Sequence, residues 1–310
     1  MGKTAFMFPG QGAQYVGMAK ELYDSRSESR EIFETASKVT GLSIEDLCFL
    51  ENEQLHQTRY TQPALLTAIC SILKAVEKEG IKADMAAGLS LGEYAALVAS
   101  GAMKFEDAVS LVCKRGILME EAVPAGKGSM AAVISKKPLP LEQICEETEG
   151  LVTVANYNCP GQQVISGEVE AVQRAAEKCK EAGAFRVVPL QVSGSFHSPM
   201  LKEAGEKLKG YLDNIEIKQP EIPFISNVTA KEEKEPERMK ELLSQQVYSS
   251  VLWQQSVEEM IANGADTFVE IGPGKTLSGF MKKINRSVTV YHVETLDELM
   301  ALAEKRRQEC

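Results

Sequence analysis

Gly88-Leu89-Ser90-Leu91-Gly92 is a Gly-x-Ser-x-Gly pentapeptide between a small apolar run, residues 83–89, and a stretch of helical spacing, residues 92–100. A serine on a sharp turn from strand to helix is pushed into a cleft, and small neighbours let strand and helix approach. The same turn leaves the N–H of the next residue, Leu91, at a helix N-terminus, where it can stabilise an oxyanion. The pattern predicts acyl chemistry with Ser90 as the nucleophile; an incidental Gly-rich turn is the bland alternative.

A serine needs a base near neutral pH, and the chain offers only His56, His197 and His292. His292 closes an apolar segment and suits packing or capping. His56 lies in a polar stretch and suits the surface. His197 falls in Ser193-Gly194-Ser195-Phe196-His197-Ser198-Pro199, a small-residue loop between strand and helix that can present a side chain to a cleft. No acid marks itself as a third triad member; Glu168 and Glu170 are available, and a backbone carbonyl could orient the imidazole instead. Arg115 stands amid Val109, Val112, Ile117 and Leu118. It reads either as a side chain snorkelling off a half-buried helix or as a fork for a substrate carboxylate.

Two phosphate-binding patterns fail. Gly10-Gln11-Gly12-Ala13-Gln14-Tyr15 has tyrosine where a dinucleotide loop needs its third glycine, and Gly274-Lys275-Thr276 has Val269 where a P-loop needs its first. The first loop still suits N–H donation into a crevice.

The elements that must position these residues alternate. Strands are expected over 4–8, 83–89, 223–226, 267–270 and 288–292, and helices over 65–79, 92–100, 105–122, 200–214, 236–248 and 276–285. Such alternation implies a mostly parallel sheet covered on both faces. The middle reads β-α-β-β-α-β: strands 128–134, 152–157, 163–167 and 185–190, helices 141–148 and 168–182. That is the ferredoxin-like pattern. The expected fold class is α/β, with a core of residues 1–125 and 193–310 and an inserted subdomain of residues 126–192. The tail from Glu304 to Cys310 is the one segment expected to be loose.

Composition limits the partners. The 310 residues carry a net charge of −10, against a nucleic-acid or anionic-membrane surface. No apolar run approaches the ~20 residues of a membrane helix. Seven cysteines without a Cys-x-x-Cys, and only three histidines, fit reduced thiols in the cytoplasm and no metal site.

Taken in order, Phe8-Pro9-Gly10-Gln11-Gly12, Thr61-Gln62-Pro63-Ala64, Gly88 to Tyr94, Asn158-Cys159-Pro160-Gly161-Gln162, Ser195-Phe196-His197-Ser198 and Glu270-Ile271-Gly272-Pro273-Gly274-Lys275 make the chain resemble the malonyl-CoA:acyl carrier protein transacylases of fatty acid synthesis. These are relatives of polyketide synthase acyltransferase domains. The resemblance implies an α/β-hydrolase-like core with a ferredoxin-like subdomain. It implies Ser90 as nucleophile, His197 as base, and the N–H groups of Gln11 and Leu91 as oxyanion hole. It implies Arg115 for the malonyl carboxylate, the Gln246 carbonyl for orienting His197, Phe196 for selectivity against a branching methyl, and Gln62 near the site. It implies malonyl-CoA and acyl carrier protein as partners and no cofactor beyond the coenzyme A thioester as substrate. Leu89 departs from the histidine usual in that position. A polyketide-pathway acyltransferase and a serine hydrolase or editing thioesterase are the alternatives. An acidic carrier would dock on a local basic patch, for which Lys114, Lys136, Lys137, Lys282, Lys283 and Arg286 are candidates.

Overall fold

The computed structural model describes residues 2–124, 126–191 and 194–309. Met1, Ala125, Val192, Ser193 and Cys310 lie outside them. Both expected subdomain boundaries, and the start of the His197 loop, fall on these residues.

Among the described residues ten strands form two sheets: β1 (Lys3–Phe8), β2 (Met85–Gly88), β3 (Gly128–Ile134), β4 (Val152–Cys159), β5 (Gln162–Glu168), β6 (Arg186–Pro189), β7 (Phe224–Ile225), β8 (Glu232–Glu233), β9 (Ala265–Ile271) and β10 (Thr289–Val293). The large sheet has the order β10-β9-β1-β2-β7-β8. Every pair in it is parallel except β7 with β8. Residues alternate between the faces of β1, as a period of two requires. Phe6 and Phe8 join the core on one face, and Ala5 and Met7 join a second core on the other. Phe8 pairs with Gly88, so β1 and β2 end level and the Gly10 loop stands beside the serine turn.

The small sheet is antiparallel, in the order β4-β5-β3-β6, with helices Leu141–Glu146 and Val169–Glu181. This is the ferredoxin-like arrangement. It has its own core around Leu141, Val154, Ile165 and Val172. β4 meets the main body at Val251, whose N–H donates to Ala155 O (2.8 Å) and whose carbonyl accepts from Tyr157 N (2.9 Å).

Several elements differ from the sequence reading. The helix expected over 65–79 is Thr58–Lys78 and runs through Pro63. A proline usually marks a helix start because it lacks the N–H that the interior needs, so periodicity alone placed the start after it. Helices Ser27–Thr40, Trp253–Ala262 and Leu296–Glu309 had no sequence expectation. The last of these corrects the loose tail. Arg306 Nη2 donates to Thr4 Oγ1 (2.7 Å) and Arg307 pairs with Glu79 (2.9 Å), fastening the terminal helix to the body.

Candidate active site

Local sterics shape the serine turn. A Cβ on Gly88 would overlap the backbone of Gly92, and one on Gly92 would overlap the backbone of Phe8 and Pro9. Glycine at both positions lets the helix Gly92–Ala99 start directly behind β2. Ser90, between them, adopts φ 52°, and His197, in its own loop, adopts φ 55°, both left-handed. That conformation costs a non-glycine residue roughly 1–2 kcal/mol and persists only where the surroundings enforce it.

Ser90 Oγ lies 2.7 Å from His197 Nε2, and His197 Nδ1 lies 2.7 Å from Gln246 O. A carbonyl accepts only, so Nδ1 carries the proton and Nε2 faces the hydroxyl as an acceptor. His197 is buried, and its own N–H donates to Val247 O (3.2 Å). Burial, reinforced by the nearby Arg115 charge, lowers its pKa to about 4. The imidazole is therefore neutral, in the form that takes a proton, across the neutral range.

Arg115 is 1% exposed, which removes the snorkelling alternative. Its Nη2 donates to Gln246 Oε1 (2.9 Å) and reaches Ser90 Oγ at 3.3 Å, and its guanidinium lies 5.6 Å from the centre of the Tyr94 ring. Its Nε has no hydrogen-bond partner among the described residues. Burial lowers its pKa, yet a guanidinium keeps its charge. The result is a desolvated cation with donors unspent beside the serine.

Gln246 joins the parts. Its Nε2 donates to Ser90 O (2.8 Å) and to Glu93 Oε2 (2.5 Å). Arginine only donates, so the amide oxygen must face Arg115 and the nitrogen must face Glu93. Glu93 is buried, and burial pushes its pKa up to about 7 against the hydrogen bonds from Gln246 and Asn227. Asn227 Oδ1 accepts from Ser90 N (2.7 Å), and Asn227 Nδ2 donates to Gly88 O (2.6 Å). The sequence reading missed both residues. Glu93 had one signal, as the lone charge in the helix Gly92–Ala99. Asn227, 137 positions from Ser90, had none.

The remaining candidates take up supporting positions. The backbone N–H groups of Gln11 and Leu91 have no partner among the described residues, and Gln11 Nε2 donates to Thr58 Oγ1 (3.2 Å). Phe196 is buried in the main core. Gln62 is fully buried, with Nε2 3.4 Å from Met119 Sδ and Oε1 unpartnered among the described residues. Leu89 packs on the opposite core, against the cluster that includes Met7, Ile225 and Trp253. Its Cδ2 also approaches the Gly10 loop. Of the other histidines, His56 ends an exposed turn. His292, expected to pack or cap, is held by Gly272 O (3.1 Å) and Glu298 (3.1 Å). Among the described residues no cluster of three His, Cys, Asp or Glu could hold a metal ion, and no helix is long and apolar enough to cross a membrane.

A parallel sheet with a serine turn at its strand ends, and a histidine on that serine, defines the class of serine-dependent acyl-transfer enzymes. The profile of the acyl transferase domain family matches residues 5–301. A malonyl CoA-acyl carrier protein transacylase of Bacillus subtilis is 47% identical over 304 residues, covering 96% of each chain. The crystal structure of a malonyl CoA-acyl carrier protein transacylase from Clostridium perfringens superposes with a TM-score of 0.95 at 48% identity, over 99% of this chain and 98% of that one. A malonyl-transacylase solved in complex with a type II polyketide acyl-carrier protein superposes with a TM-score of 0.95 at 39% identity, over 98% and 99%. The chain belongs to the acyl transferase family and, within it, to the malonyl CoA-acyl carrier protein transacylases.

Proposed function

We propose that the protein moves a malonyl group from malonyl-CoA to the phosphopantetheine thiol of an acyl carrier protein, in two half-reactions through a malonyl ester of Ser90. The carrying observation is the line Ser90 Oγ, His197 Nε2, His197 Nδ1, Gln246 O, with Arg115 Nη2 3.3 Å from the nucleophile.

In the first half, Ser90 Oγ gives its proton to His197 Nε2 and bonds to the thioester carbonyl carbon. The N–H groups of Gln11 and Leu91 receive the oxyanion. As it collapses, the carbon–sulfur bond breaks and coenzyme A leaves with the proton from His197. In the second half, His197 takes the proton of the carrier thiol, whose sulfur attacks the ester. The carbon–oxygen bond then breaks and Ser90 recovers the proton. The Gln246 carbonyl keeps Nδ1–H pointing away from the reaction. Arg115 binds the free carboxylate of malonyl through its unspent N–H groups, and Phe196 limits space at the α-carbon. The chemistry calls for no metal or cofactor, and coenzyme A enters as part of the substrate. Residues 1–125 and 193–310 supply these groups, with residues 126–192 as an inserted subdomain. The six described cysteines are free thiols, which suits the cytoplasm.

The test is transfer itself. With malonyl-CoA and phosphopantetheinylated carrier protein, malonyl-carrier accumulates while free malonate stays at background; with the unmodified carrier nothing is transferred. Fast release of malonate in the absence of carrier would instead make the protein a hydrolase.

A further inference from the structure

We propose that Asn227 is a positioning residue for the nucleophile, its carboxamide spanning the serine turn and holding Ser90 in the left-handed conformation that aims Oγ at His197. The proposal rests on the reading of Ser90 as the nucleophile.

Asn227 is fully buried, two residues beyond β7. Its side chain makes two hydrogen bonds, one on each side of the turn: Oδ1 from Ser90 N–H at 2.7 Å and Nδ2 to Gly88 O at 2.6 Å. An N–H can face only the oxygen and a carbonyl only the NH2, so the amide orientation is fixed by its partners. The residue's own backbone is anchored as well. Its N–H donates to Glu93 Oε1 (3.2 Å), and its carbonyl accepts from Leu252 N (2.9 Å). The side chain therefore spans the serine turn, while the backbone of the same residue is tied to the helix Gly92–Ala99 and to the segment before Trp253. It also divides the two consecutive N–H groups of the turn. That of Ser90 is taken by Asn227, and that of Leu91 is left for an oxyanion. Without the carboxamide, Ser90 N–H and Gly88 O would be buried unpaired and the φ of 52° would lose its restraint.

The probe is phenylmethanesulfonyl fluoride, which labels an activated serine and carries no carboxylate for Arg115. Asn227→Ala is expected to lower the second-order rate of Ser90 labelling on the order of 10- to 100-fold, the scale of a misplacement of about 1 Å. Its affinity for malonyl-CoA, measured in a Ser90→Ala background, should stay unchanged because Arg115 does not touch Asn227. A merely structural role would weaken both. Equal labelling of Asn227→Ala and wild type, or a parallel loss of malonyl-CoA binding, overturns the proposal. A wild-type protein unlabelled at Ser90 overturns the nucleophile reading, and the proposal with it.

Asn227→Asp gives a second, isosteric test should the alanine variant not fold. Its neutral carboxyl offers O–H to Gly88 O and C=O to Ser90 N–H, whereas its carboxylate turns an oxygen against Gly88 O. The charged and titratable groups around it are Glu93 from the helix Gly92–Ala99, Arg115 from the helix Phe105–Ala122 and His197 from its loop, all present in wild type too. The labelling rate relative to wild type should therefore fall as pH rises, and a ratio independent of pH overturns the clamp.

Discussion

Arg115→Ala isolates the carboxylate fork. The guanidinium is 1% exposed, its Nη2 already satisfies Gln246 Oε1, and its Nε has no partner among the described residues. Truncating one member of a desolvated, hydrogen-bonded charge pair costs roughly 2–5 kcal/mol. At about 1.4 kcal/mol per decade that is roughly 30- to 4,000-fold in acylation by malonyl-CoA. Acetyl-CoA has no carboxylate to lose, so its acylation should change far less and the malonyl-over-acetyl ratio should collapse. Folding should also suffer, by about 1–3 kcal/mol, because Gln246 Oε1 loses its donor inside the protein. The assay is rapid-quench acylation with each thioester, read as acyl-enzyme mass, beside a thermal melt. A preserved malonyl-over-acetyl ratio in a folded variant would refute the assignment. Loss of both activities in equal measure would point to Arg115 serving the Ser90–His197 pair instead.

Other predictions follow the same network. Gln246→Ala keeps the carbonyl that holds His197 but deletes the amide between Arg115 and Glu93; acetyl transfer should survive better than malonyl transfer, which paired kcat/KM values would show. Phe196→Ala should admit a methyl-branched malonyl thioester and cost about 3–5 kcal/mol of stability, as deletion of a buried ring does; an unchanged acyl preference would remove Phe196 from the selectivity role. His197 has a folded pKa near 4 against an ordinary value of 6.5, so the unfolded chain binds more protons between those limits. Its contribution to stability is therefore complete above pH 6.5 and lost as pH falls toward 4. Denaturant titrations across that window should show a shallower pH slope in His197→Gln than in wild type.

What could be read from the sequence was what short segments encode. Gly88, Ser90 and Gly92 carry a local steric demand, and the structure meets it with contacts that leave no space for a Cβ. The β-α-β-β-α-β order of the small sheet is likewise visible in periodicity and turn residues. The helix Thr58–Lys78 was cut short because the apolar spacing was read only from Leu65 onward, and Leu296–Glu309 was invisible because contacts with Thr4 and Glu79 hold it down. The least legible part is the support beneath the serine. Asn227 and Gln246 reach Ser90 across 137 and 156 positions through single hydrogen bonds, for which spacing offers no sign. Leu89, just past the end of β2, packs against the second core.

The central claim, an acyl group carried on Ser90, is tested most directly by intact mass and peptide mapping after mixing with malonyl-CoA alone. A single malonyl adduct on the peptide containing Ser90, absent in Ser90→Ala and discharged by phosphopantetheinylated carrier protein, is the predicted result. A malonyl adduct that persists in Ser90→Ala, or carrier loading at the wild-type rate by that variant, would contradict it.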